Sequence, residues 1–319
     1  MKFSFWGTSN FSISILNELI KNDLVPSLIV TFSPKAFGRK KLLKANIVEE
    51  LAKQYNIEII YADTLDNQTL YDTLKIKKLD VGIVASYGKI ISKNILKVFP
   101  FGLINVHPSL LPKYRGPSPI QGAILNNETI TGTSIFILDE QMDHGPILGQ
   151  ISTPILLDDD YNSLKKRLTV LGSKLIVNLL PQYVNHTISI KPQEEYLATY
   201  TQKFTFETCH IDWSQPTQTV YNFIRALAHE PGVFSYYEKN SKKTILKILK
   251  ANFVIEPEIH NALTLTHATD QDGTVFQEQK RFFIKTLDGY LELITVQPEG
   301  KNQMSFLSFF NGNKISKLI

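Results

Sequence analysis

An asparagine and a histidine stand two residues apart, Asn105 and His107, at the end of a short β-branched run, Leu103 to Val106. If that run is a strand, the two side chains lie on one face at its carboxyl end, where open parallel sheets bind ligands. An amide and a neutral imidazole side by side suit attack on a carbonyl-like centre. The amide can donate to an oxygen that gains negative charge, and the imidazole can take a proton from the nucleophile. The same pair could instead satisfy buried loop backbone.

Pro108 has no N–H to donate, so the strand ends there. Residues 109–119, SLLPKYRGPSP, carry three prolines and a glycine and read as a stiffened loop; IQGAILNN then opens a helix. A further acid, Asp143, sits in LDEQMDHGPIL, where an Asp so close to Gly145 can be no more than a turn residue. His107, Asp143 and His144 could form a two-histidine, one-carboxylate metal set. Against this, there is no local His-x-x-x-His spacing, and adjacent Asp143 and His144 point apart in extended backbone, so no metal is expected.

These residues need elements to position them. Met1 to Gly7 reads as a strand, followed by possible caps Thr8, Ser9 and Asn10 and by helical spacing of Phe11, Ile15, Leu16, Leu19 and Ile20. There is no Gly-x-Gly-x-x-Gly, so a dinucleotide is not supported. Strands at 24–32, 57–61 and 81–85 alternate with helices at 46–55 and 65–74. Such alternation predicts an α/β, Rossmann-like, mostly parallel sheet covered on both faces. A strand at 133–138, an acidic loop at 139–143, a return strand at 147–155 and a helix at 161–183 complete a domain over 1–187.

Residues 188–205 show no clear period and read as a linker. Beyond them a helix at 217–227 precedes short β segments (VFSYY, TILKIL, ANFVI, RFFIKT, YLELITV), which suit a small antiparallel barrel over 206–319.

The chain has 319 residues and 43% hydrophobic content, enough for two cores. Its apolar runs are too short to span a membrane and no cleavage site follows the N-terminus, so a cytoplasmic protein without membrane contact is expected. The single cysteine, Cys209, permits no internal disulfide. The net charge of +4 is modest, but residues 33–44 (SPKAFGRKKLLK) and 239–250 (KNSKKTILKILK) each hold five Lys or Arg and no acid.

Residues 105–121, NVHPSLLPKYRGPSPIQ, resemble the signature of the folate-dependent formyltransferases. The resemblance continues in FWGTSNF, VASYGKIIS and LDEQMDHGPIL; IDWSQPTQTVYNFIRAL and VQPEGKNQMSFLSFFNG are similar to the methionyl-tRNA branch of that family. It implies transfer of the formyl group of 10-formyltetrahydrofolate to the amine of methionyl-initiator tRNA. His107 would act as base, Asn105 would bind the oxyanion, and Asp143, placed against His107, would hold its tautomer. His144 stands where relatives carry Thr or a small residue.

The resemblance also implies donor contacts from Ser109, Leu110, Leu111 and Pro112, from Val84, Ser86, Tyr87 and Ile90, and from Asp139. It implies an OB-like C-terminal barrel and a basic insertion in which Arg39, Lys40 and Lys41 meet the acceptor arm, with Lys242, Lys243, Lys247 and Lys250 tracking the tRNA backbone. The protein would work as a monomer. Two alternatives stay open: a sugar N-formyltransferase acting on a nucleotide-linked amino sugar, and a catalytically silent RNA-binding module on an OB barrel.

Overall fold

The structure, a computed structural model, describes residues 1–37, 42–44, 47–64, 68–239, 241–254 and 256–319. In order the elements are β1 (Phe3–Gly7), α1 (Asn10–Lys21), β2 (Leu28–Thr31), β3 (Lys35–Phe37), β4 (Leu42–Lys44), α2 (Ile47–Gln54), β5 (Glu58–Tyr61), α3 (Gln68–Lys77), β6 (Val81–Ala85), α4 (Lys93–Leu96), β7 (Leu103–His107), α5 (Pro119–Leu125), β8 (Ile130–Ile137), β9 (Ile147–Pro154) and α6 (Tyr161–Val184). There follow α7 (Thr217–Leu227), β10 (Phe234–Lys239), β11 (Lys242–Phe253), α8 (Pro257–His267), β12 (Val275–Glu278), β13 (Arg281–Lys285), β14 (Tyr290–Pro298), β15 (Met304–Ser305) and α9 (Phe306–Asn313).

The chain divides into two compact units, residues 1–119, 130–154 and 165–202 in the first, and 120–129, 155–164 and 203–319 in the second. In the first, a seven-stranded sheet runs β5-β2-β1-β6-β7-β8-β9. The strands from β5 to β7 are parallel, and β8 and β9 add on antiparallel, as the alternation of strands and helices predicts. Strands buried on both faces read as near-continuous apolar runs, and β1, β2 and β6 are buried throughout. One face packs Phe5, Ile29, Ile83, Ile104 and Val106 with Ile15 and Leu19 of α1 and Ile176 of α6. The other packs Trp6, Val30, Val84 and Leu103 with Leu70 and Leu74 of α3.

Ser9 caps α1: its hydroxyl accepts from the Ser12 N–H and the Ser12 hydroxyl accepts from the Ser9 N–H. Gly7 is required by that close strand-to-helix passage, since a Cβ there would stand 2.5 Å from the Ser12 Cβ.

In the second unit an antiparallel sheet runs β10-β11-β14-β13-β12, with β15 paired to β14. No pair closes β10 onto β12 among the described residues, so the sheet is open where a closed barrel was expected. TILKIL and residues 251–253 of ANFVI form one strand, β11, with register shifts around Lys250. That bulge breaks the alternation on which the sequence pattern depends. Residues 257–267 and 306–313 are helices rather than strands; α8 has Pro257 at its first position, where the missing N–H costs nothing, and buries only Leu263.

Of residues 188–205, read from the sequence as a linker, 188–202 belong to the first unit. Lys191 pairs with Ile147, and Arg115 exchanges backbone bonds with Thr199 and Thr201. No helix among the described residues is long and apolar enough to cross a membrane.

Candidate active site

β7 lies between β6 and β8, with Asn105 opposite Val84 and Phe136 and His107 opposite Ser134. Asn105 is half-buried, and its side chain has no hydrogen-bond partner among the described residues. Its amide is therefore free to donate to a ligand. His107 is 5% exposed, its ring edge-on to Phe136.

The His107 Nε2 lies 3.0 Å from the Tyr114 carbonyl. A carbonyl only accepts, so Nε2 carries a proton, and in the neutral ring the lone pair sits on Nδ1. The Asp143 Oδ2 faces that Nδ1 at 3.7 Å, beyond direct hydrogen-bond range. The tautomer is thus set by the Tyr114 carbonyl. That corrects the expectation that Asp143 holds it, because a carboxylate facing a lone pair has no proton to accept there until His107 is protonated.

Asp143 is itself held tightly. Its backbone is left-handed at φ +49°, its Oδ2 accepts from the Gly116 N–H at 2.8 Å, and its carbonyl accepts from Gln193 Nε2 at 2.8 Å. Gly116 has φ +107°, a conformation that disfavours a side chain. Arg115, next to it, is fully buried and donates to Glu195 through Nη1 at 3.0 Å and Nη2 at 2.9 Å, to Gln193, and to the Tyr200 hydroxyl. Burial alone would lower the Arg115 pKa, but the bonds to Glu195 and Tyr200 outweigh it and raise it; the same Arg115 bond holds Glu195 below the ordinary carboxylate range.

The described sequence matches two family models, Formyl transferase over residues 1–180 and Formyl transferase, C-terminal domain, over 203–314. It is 37% identical over 319 residues to the methionyl-tRNA formyltransferase of Dictyoglomus turgidum, covering 99% of this chain and 98% of the relative. The chain belongs to the methionyl-tRNA formyltransferase family. Another methionyl-tRNA formyltransferase, from Fusobacterium nucleatum, is 31% identical across 98% of this chain and 97% of its own length. Among solved structures, the N-formyltransferase of Helicobacter canadensis with folinic acid and dTDP-3-aminofucose covers 100% of both chains at 20% identity and a TM-score of 0.66, a likeness of fold.

For a methionyl-tRNA formyltransferase family member, the expected donor segments differ in access. Ile90 is 83% exposed and Met142 53%, and the ion pair Lys93 to Glu140 at 2.5 Å joins their segments. Ser86 is exposed, whereas Tyr87 is buried, donates its hydroxyl to the Ala62 carbonyl and packs on Trp6 and Phe32. Tyr87 thus acts as core. Val84 is likewise buried.

In the 109–112 loop, Ser109 is buried and donates to the Lys113 carbonyl, and Leu111 is buried with its N–H on Ser134 and its carbonyl on Gln150. Leu110 and Pro112 are half-exposed. Asp139 binds His144 Nδ1 at 2.6 Å, and His144 Nε2 stands 3.6 Å from Glu195. His144 is thereby turned to those two acids, and among the described residues no group of three or more His, Cys, Asp or Glu is arranged to hold a metal.

Arg39, Lys40 and Lys41 lie outside the described residues. In the second unit Lys242, Lys243, Lys247 and Lys250 are on β11, but not on one face. Lys243 and Lys247 share a face with Phe234 and Tyr236, their ammonium groups 5.9 Å from the Tyr236 ring and 5.0 Å from the Phe206 ring. Lys242 points to the other face. Gln193 and the Tyr114 carbonyl were not singled out from the sequence, because neither carries a spacing signal.

Proposed function

We propose that this chain transfers the formyl group of 10-formyltetrahydrofolate to the free amino group of methionyl-initiator tRNA, for translation initiation. The observation that carries the proposal is His107, its Nε2 3.0 Å from the Tyr114 carbonyl, two residues along β7 from the unpartnered Asn105 amide, in a chain 37% identical to a methionyl-tRNA formyltransferase over nearly its full length.

The amine nitrogen attacks the formyl carbon. His107 Nδ1 takes the amine proton, and Asn105 donates to the formyl oxygen as it gains charge. Asp143 faces the imidazolium that results and stabilises it across 3.7 Å. His107 then returns the proton to the departing N10, so that formylmethionyl-tRNA and tetrahydrofolate leave and His107 is neutral again. No covalent bond to the protein is needed.

Exposed Ile90 and Met142 beside Ser86 and Asp139 support a folate donor: they offer apolar surface to a flat ring system next to polar groups that can read its edge. We take the open antiparallel sheet as the OB-like, tRNA-binding part, with Lys243 and Lys247 on phosphates, and place the reaction in the cytoplasm, by a monomer.

A second reading is formylation of a nucleotide-linked amino sugar, favoured by the full-length likeness to the Helicobacter canadensis enzyme. Turnover with 10-formyltetrahydrofolate, compared between charged initiator tRNA and a nucleotide-linked amino sugar, separates the two. Formylation of the sugar alone overturns the tRNA assignment.

A further inference from the structure

Gln193 lies fifty residues beyond Asp143 in sequence, yet its side-chain amide touches the backbone at both ends of the Asp143-His144-Gly145 turn. Its Nε2 donates to the Asp143 carbonyl at 2.8 Å and to the Gly145 carbonyl at 2.8 Å. Both acceptors are carbonyls, so the amide nitrogen must face them. On its other side, Gln193 Oε1 accepts from Arg115 Nε at 3.2 Å and Nη2 at 3.0 Å. The guanidinium only donates, so it fixes the amide orientation from behind.

Arg115 is fully buried and is fixed in turn by a two-pronged pair with Glu195 and by the Tyr200 hydroxyl. A forked pair of this kind constrains direction as well as distance. The residue after Arg115 supplies the N–H that binds the Asp143 carboxylate. One rigid assembly therefore holds Asp143 at its carboxylate, through Gly116, and at its carbonyl, through Gln193. That double hold keeps a non-glycine residue at φ +49°, a backbone state that tends to relax without outside bonds.

We infer that Gln193, locked by Arg115, is a positioning residue for the formyl-transfer step: it sets where the Asp143 carboxylate stands relative to His107. The inference rests on the reading of Asp143 as the acid that supports His107. Gln193 touches no reacting atom, so its removal acts on kcat through Asp143 and leaves KM for donor and tRNA unchanged. A displacement on the order of 1 Å in such a group costs up to about 100-fold in rate.

The isosteric Gln193→Glu variant keeps acceptors for Arg115 but cannot donate to the Asp143 and Gly145 carbonyls. Kinetics of Gln193→Glu, Asp143→Ala and the double variant in the full chain form a cycle, with thermal melts confirming that each is folded and Gln193→Ala as a second substitution should the glutamate fail to fold. The expected result is a kcat reduced about 10- to 100-fold in Gln193→Glu with unchanged KM values, and no further loss when the same change is made on the Asp143→Ala background. A slow Asp143→Ala enzyme alongside a Gln193→Glu enzyme of wild-type kcat overturns the inference alone. So does a Gln193 effect that persists undiminished without Asp143. An Asp143→Ala enzyme of wild-type kcat overturns the underlying reading and the inference with it.

Discussion

The Asp143 Oδ2 stands 3.7 Å from the His107 Nδ1 while it accepts a 2.8 Å bond from the Gly116 N–H. The carboxylate is anchored to the loop behind it and waits opposite a lone pair. A proton on His107 gives it a cationic partner at 3.7 Å, so in the proposed mechanism its attraction is greatest in the charge state the transfer step creates.

Removing the oxyanion donor separates this arrangement from simple substrate binding. Asn105→Ala is expected to lower kcat about 100- to 1,000-fold, as loss of a single preorganised donor does elsewhere, with KM for donor and tRNA little changed. Steady-state kinetics with both substrates varied checks it; a rise in KM at constant kcat would assign Asn105 to binding.

Gly116 makes a structural prediction. At φ +107° an added Cβ would stand 2.9 Å from the Thr201 carbonyl oxygen, so Gly116→Ala must both strain the backbone and push that loop away. The expected cost is about 1–2 kcal/mol from the backbone conformation alone, read as a lower melting temperature. Turnover should fall as well, since the displaced N–H is the one that holds Asp143.

The ion pair of Arg115 and Glu195 gives a pH dependence with a definite sign. Glu195 is held below the ordinary carboxylate range by its bond to Arg115. A carboxylate depressed in the folded state contributes stability that is complete above its unfolded pKa and is lost as pH falls through the lower folded value. Melting temperatures of the wild type and Glu195→Gln should therefore differ most at neutral pH and converge in acid. A difference that grows in acid would contradict the pairing.

How much of this was legible in the sequence depends on how local each relationship is. Asn105 and His107 announce themselves because a two-residue spacing fixes a shared strand face, and α7 begins and ends where its apolar spacing does. Tyr114 acts through a backbone carbonyl, which any residue possesses, and Gln193 reaches Asp143 only through folding, so neither leaves a pattern. The helix α8 buries a single residue, Leu263, and so lacks the apolar stripe by which helices are recognised. The burial of Arg115 leaves no pattern for a related reason: a charged side chain reads as solvated until its burial and partners are known.

For the second unit, Lys243 and Lys247 are the cationic pair on one face of β11. Reversing both charges should weaken retention of initiator tRNA and flatten its dependence on log salt by about one unit per lost phosphate contact. Binding of the folate donor should be unaffected. Charge reversal at Arg39 and Lys41 carries the same expectation for tRNA use, and equal loss of donor binding in either case would contradict it.

The most direct test is single-turnover formyl transfer from 10-formyltetrahydrofolate to methionyl-initiator tRNA by His107→Ala, with tRNA retention measured on the same preparation. Loss of the lone pair on Nδ1 is expected to slow transfer about 100- to 10,000-fold while tRNA is retained as by the wild type. Transfer at the wild-type rate would show that the amine loses its proton elsewhere and that the Asn105, His107 and Asp143 constellation is not the reacting centre.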